Sequence, residues 1–129
     1  MLADFEPAAT IAVKDLEKVR AFYENIIGLK PKSGPMRGAQ AFSAGERTVV
    51  IYESRFAGTN EATAVTWTLG DRFDQVVEAL RSHGVTFEEY PMPGVTIDRG
   101  VHEVSDGPGP GKVAWFKDPD GNIHNLNNG

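Results

Sequence analysis

Cysteine is absent from this 129-residue chain. That excludes disulfides, thiolate nucleophiles and Cys-based zinc or iron–sulfur centres, and it fits a reducing compartment. Long apolar runs are missing too, so no segment reads as a membrane span. The start, MLADFEPAA, has neither the charged nor the apolar part of a signal peptide. The expected location is the cytoplasm. Basic residues are the minority: 13 Lys and Arg face 18 Asp and Glu, for a net charge of −5, and they form no stripe. Nucleic acid is therefore not the expected partner, nor is a membrane. The acidic balance leaves room for a cationic small ligand. Histidines number three and tryptophans two.

What is present is an internal repeat. Ala8–Asp15 and Ala64–Asp71 both read as a short strand ending in Asp, 56 positions apart, and the same offset carries Thr10 onto Thr66 and Gly28 onto Gly84. Between each Asp and Gly lies an amphipathic helix. In the first, Leu16, Val19, Phe22, Tyr23, Ile26 and Ile27 share a face; in the second, Phe73, Val76, Val77 and Leu80 do. The Asp stands where an N-cap belongs and the Gly where a left-handed stop belongs. His83, just before Gly84, complements the C-terminal end of its helix.

Strands follow each helix. The first half offers 39–44 and 48–54, with an extra strand at 30–32. The second offers 86–90, a Pro/Gly-rich loop over 91–111 with a strand near 101–104, then 113–116 and 123–127. Each half is thus a βαβββ module, module 1 at about 5–57 and module 2 at about 60–128. The expected fold class is α+β: two paired modules forming one domain over 1–129, a curved mixed sheet with helices outside.

Two tempting motifs are read as structure. In Asp118-Pro119-Asp120-Gly121, Pro presets φ, Gly takes the left-handed position and Asp bonds its own backbone, which makes a turn and not an acid/base pair. The GPGPG stretch at 107–111 has no following helix or Lys to make it a phosphate loop. No Ser-His-Asp arrangement has supporting context.

VKDLEKVRAFYENIIGLKP at the start and AWFKDPDGN at the end, together with FAGTNEATAVTW and GVTFEEYPMPG, resemble the vicinal oxygen chelate superfamily. This group includes glyoxalase I, extradiol dioxygenases, fosfomycin-resistance transferases and bleomycin-resistance proteins. The resemblance covers nearly the whole chain. It implies the paired-module cup, a ligand pocket inside it, and a homodimer. It does not imply one chemistry, because one fold hosts many functions. Metal-dependent members hold a divalent ion with three or four His and Glu side chains. Carried over by position, those ligands fall on Ala8, near Ile51, on Ala64 and on Asn125. None of the four suits a divalent cation; an amide oxygen alone is a weak, supplementary ligand. The resemblance therefore implies no metal and no other cofactor here.

The remaining histidines do not restore a metal set. His124 alternates with Asn125 and points to the opposite face of its strand. His102 lies in the Pro/Gly-rich stretch and is read as a solvated loop residue able to fold over the pocket. Glu53 shares a face with Ile51 and is a lone acid at a strand end. The expected ligand-binding residues are Thr10, Ile51, Glu53, Thr66, Phe87, Val113, Trp115 and Asn125, with Glu89 beside Phe87 at the rim. Trp115 offers a stacking platform for a planar or cationic ligand. Asn125 and Asn127 either hydrogen-bond a ligand or bond within the sheet or a subunit interface. Trp67 has the opposite parity and packs on a helix.

The function so implied is metal-free binding or sequestration of a small, aromatic or cationic molecule. The alternatives are a divalent-metal-dependent lyase of the glyoxalase type or an extradiol-dioxygenase-like enzyme, and metal-free catalysis with Glu53 or His102 as general base.

Overall fold

Alternating strands and two short helices build the chain, and the computed structural model describes residues 1–32, 34, 37–105 and 111–129. The Pro/Gly motif at 107–111 lies, but for its last glycine, outside the described residues. The chain divides into two compact units, 1–59 and 60–129.

In the first unit the order is β1 (Ala9–Val13), α1 (Leu16–Ala21), a π-helical turn (Phe22–Ile26), β2 (Lys30–Pro31), β3 (Ala39–Ala44) and β4 (Arg47–Glu53). They form a four-stranded sheet ordered β1-β4-β3-β2, with β1 and β4 parallel and the other pairs antiparallel. Asp15 caps α1 as its position demands: its Oδ1 accepts from the Glu17 N–H at 3.0 Å and the Lys18 N–H at 3.4 Å. Gly28 stops the helical stretch at φ 87. The core of this unit joins Ile11, Val13, Phe42, Val49 and Ile51 on the strands to Leu16, Val19 and Tyr23 on the helical segment.

The second unit runs β5 (Thr63–Thr68), α2 (Phe73–Ser82), β6 (Val95–Asp98), β7 (Val101–Val104), β8 (Lys112–Lys117) and β9 (Ile123–Asn127). Its five-stranded sheet is ordered β5-β9-β8-β7-β6, with β5 and β9 parallel. The class is α+β, and the strands divide between two sheets of four and five. The second unit departs from the expected module in three places. Residues 86–90 supply only an isolated bridge, Phe87 to Phe116. The stretch read as loop from 91 onward contains the β6–β7 hairpin, whose tight turn places Arg99 at φ 47 and Gly100 at φ 84. Asp71 does not cap α2. A short 3-10 turn, Gly70–Arg72, leads into the helix, and no side chain caps it. Gly84 does end α2, at φ 88, with the Val85 N–H returning to the Leu80 carbonyl.

The β8–β9 turn is held by one buried carboxylate. Asp118 Oδ1 accepts from the N–H groups of Asp120 and Asn122 at 2.9 and 2.8 Å, and Oδ2 accepts from the Asn122 amide at 2.8 Å. These bonds fix the β8–β9 register and hence what shares a face with Trp115. Among the described residues, no helix is long and apolar enough to cross a membrane.

Candidate functional site

Cross-strand register sorts the second sheet into two faces. Directly paired residues share a face. Val65, Trp67, Ala114, Phe116, His124 and Leu126 therefore lie on one side, and this is the buried side. Here the Trp67 indole N–H donates to His124 Nδ1 at 3.0 Å, and the imidazole stacks on Phe116 at 4.8 Å. Burial lowers the His124 pKa to about 4, against a weaker opposing pull from Asp118.

The other face carries Thr66, Asn125 and Trp115 side by side, since Thr66 pairs with Asn125 and Asn125 with Trp115. Val113 and Asn127 form the next row, and His102 pairs with Val113. The Asn127 amide donates to Asn125 Oδ1 at 3.3 Å, and the Gly129 N–H donates to Asn127 Oδ1 at 3.0 Å. The asparagines thus bond to one another along the strand.

His102 is not the solvated loop residue the sequence led us to expect. It sits in β7 with no exposed surface. The Tyr90 backbone N–H donates to its Nε2 at 2.9 Å, so Nε2 must be unprotonated. Its Nδ1–H then donates to the Gly100 carbonyl at 2.9 Å. With both nitrogens engaged, His102 is free neither to ligate a metal nor to act as a general base. It packs edge-on against Trp115 at 4.9 Å, and Trp115 meets the Tyr90 ring at 5.3 Å and 73°. This aromatic corner opens into a recess of about 320 Å³ lined by Glu61, Ala62, Thr63, Tyr90, Met92, Trp115 and Ile123.

Three sequence-derived candidates lie elsewhere. Ile51 pairs with Ile11 in the parallel β1–β4 ladder and is fully buried on the helix side; Thr10, exposed and paired with Val50, is on the opposite face. Ile51 and Thr10 therefore do not share an inward surface, and the residues of β4 on Thr10's face are Thr48, Val50 and Tyr52. Glu53 follows Ile51 in parity. Its Oε2 accepts from the Leu16 N–H at 3.1 Å, which places a carboxylate at the start of α1, where the helix dipole favours it. Phe87 also points helix-ward: it is buried edge-to-face on Phe116, with the Arg81 guanidinium 5.6 Å from its ring centroid. Glu89 accepts from the Gly100 N–H at 3.0 Å. Tyr90 was missed. The signal available was an aromatic residue immediately before a Pro-Met-Pro run, but nothing local tied it to Trp115.

A divalent metal of the superfamily type does not fit these residues. Among the described residues, no group of three or more His, Asp and Glu side chains could hold an ion. The open face of β5, β9 and β8 offers hydroxyl, amide and indole groups, and correcting Ile51 to Val50 or Tyr52 adds no carboxylate or imidazole.

The family model for the Glyoxalase/Bleomycin resistance protein/Dioxygenase superfamily matches residues 7–125. Solved structures share the fold. FosX, a genomically encoded fosfomycin resistance protein from Listeria monocytogenes, in complex with Mn(II) and sulfate, aligns at TM-score 0.70 and 20% identity, over 97% of this chain and 90% of that one. FosX from Mesorhizobium loti aligns at 0.65 and 18%, over 98% and 92%. An integron cassette protein from the mobile metagenome of the Halifax Harbour sewage outfall aligns at 0.65 and 18%, over 95% and 98%. At these identities the likeness is one of fold. No curated protein matches the chain.

Proposed function

The chain belongs to the Glyoxalase/Bleomycin resistance protein/Dioxygenase superfamily, and from that premise we propose that it is a metal-free protein that binds and sequesters a small molecule. The observation that carries the reading is the row Thr66–Asn125–Trp115 on the open face of the second sheet. An indole gives area for a planar or cationic ligand. The hydroxyl and amide orient it without charge, as sparse polar groups do in apolar ligand sites. Val113, in the next row of the same face, extends the apolar surface. Ile51, Glu53 and Phe87 have no part in it, because packing and capping occupy them.

The other reading is a metal-dependent lyase of the glyoxalase type or an extradiol-dioxygenase-like enzyme. The fold likeness to a Mn(II)-bound protein favours it; the donor set argues against it. Metal content of the tag-free protein, followed by titration with Ni²⁺, Zn²⁺, Mn²⁺ and Fe²⁺, decides between them. We expect no ion above background. One tightly bound ion per chain, with an activity lost to a chelator, would sink the metal-free reading. In a ligand screen, Trp115→Ala is expected to weaken binding by at least about tenfold; unchanged affinity would make Trp115 a bystander.

The proposal includes a cytoplasmic location, supported by the lack of cysteine, and a homodimer, supported by superfamily membership. Sedimentation velocity is expected to give one species at twice the 14.0 kDa chain mass; a monomer at micromolar concentration would remove the dimer from the proposal.

A further inference from the structure

Beside the amide row lies a corner better suited to one class of ligand than to small molecules in general. Trp115 and Tyr90 meet at 73° with ring centroids 5.3 Å apart. Met92 and Ile123 add a thioether and an aliphatic wall, and the acidic residue Glu61 lines the same recess of about 320 Å³. We propose that this recess of the second unit binds an organic ammonium ion, its alkylated nitrogen against Trp115 and Tyr90 and its charge facing Glu61. This rests on the small-molecule reading above and names the ligand class.

Three observations carry it. First, the walls are electron-rich. Indole and phenol rings attract a cation through their quadrupoles, and alkylated ammonium groups are weakly hydrated, so they lose little on entering an apolar corner. Second, the corner is held in place before any ligand arrives. Buried His102 is anchored at Nδ1 by the Gly100 carbonyl, takes the Tyr90 N–H at Nε2, and presses edge-on against Trp115 at 4.9 Å. One imidazole thus fixes both aromatic walls, and a preformed site spends less binding energy on ordering. Third, the local charge is negative. Lys117 lies within electrostatic reach of Glu61, but its ammonium is engaged by Glu88 at 3.1 Å. Glu89 is nearby, bonded to the Gly100 N–H. The whole chain carries −5, which draws cations at long range.

The test is calorimetric titration of the full-length protein with choline and with neohexanol, its neutral isostere in which carbon replaces nitrogen. Choline is expected to bind and neohexanol to bind at least about tenfold more weakly. Glu61→Gln, at an exposed position where folding is not at risk, is expected to weaken choline about three- to tenfold and leave neohexanol unchanged. Tyr90→Leu is expected to weaken choline by a similar factor, with circular dichroism to check the fold. Equal affinity for the two compounds would overturn the proposal, as would no choline binding up to about 10 mM. Indole separates the two levels of the argument. If indole binds, and Trp115→Ala abolishes it while choline never binds, the ammonium site is wrong and sequestration stands. If none of the three binds, both fail.

Discussion

The free energy of unfolding is expected to fall by about 3 kcal/mol as pH drops from 6.5 to about 4, beyond what the carboxylates contribute, with His124 carrying that loss. In the unfolded chain the imidazole titrates at its ordinary value of 6.5. In the folded protein burial holds it neutral down to about 4, and Asp118 opposes this only weakly. Between those limits the unfolded state takes up a proton that the folded state refuses. The contribution is therefore fully present above pH 6.5 and is lost as pH falls through the folded value. The geometry agrees: Nδ1 already accepts the Trp67 indole N–H, so a proton there would set donor against donor inside an aromatic stack with Phe116. Urea unfolding at the two pH values, for the wild type and for His124→Asn, checks this. An Asn Oδ1 can still accept from Trp67, so the variant should fold and lose about 3 kcal/mol less on acidification. Equal losses in the two proteins would clear His124 of the effect.

Gly100→Ala is expected to cost about 2–4 kcal/mol, more than a glycine in a turn usually does. Gly100 has φ 84, in the left-handed region, and a Cβ built there would overlap Phe87 Cβ and lie 3.3 Å from its backbone. Phe87 has little room to yield, being buried edge-to-face against Phe116. The displacement also reaches the candidate site, because the Gly100 N–H holds Glu89 and its carbonyl anchors His102 beneath Tyr90 and Trp115. Gly94→Ala is the control. Its φ is 76, but nothing lies within 4 Å of the added methyl, so it should cost only the backbone term of about 1 kcal/mol. The two variants, compared by urea unfolding, separate strain from clash. Similar costs would mean the approach to Phe87 is not tight.

These two sites mark where sequence reasoning works and where it stops. The fate of His124 followed from one local rule. It alternates with Asn125, and the DPDG turn fixes the register of its strand, so the opposite facings of His124 and Asn125 were legible from spacing alone. Alternation put Val113 beside Trp115, and the positions carried over from the superfamily resemblance put Thr66 and Asn125 on the same face, with Trp67 on the other. Gly100 was not legible. Nothing in DRGVH says that the glycine touches a phenylalanine 13 residues earlier.

The sequence by itself determined the two-fold strand–helix plan, the Asp15 cap, the glycine stops at Gly28 and Gly84, the turn at Asp118–Gly121 and the family. The structural features rest on spacings of a few residues, where backbone sterics and local hydrogen bonds leave little choice; the family rests on the resemblance of motifs spread over nearly the whole chain. Tertiary structure decided which face of a strand is covered. Alternation says that Ile51 and Glu53 share a side, but only the parallel pairing of Ile51 with Ile11 shows that this side meets the helix. It also turned Phe87 inward, moved His102 from an expected loop to a buried position on β7, and brought Tyr90 to Trp115. Each of those outcomes depends on a partner distant in sequence, whose register and burial are set by packing and leave no trace in the local pattern.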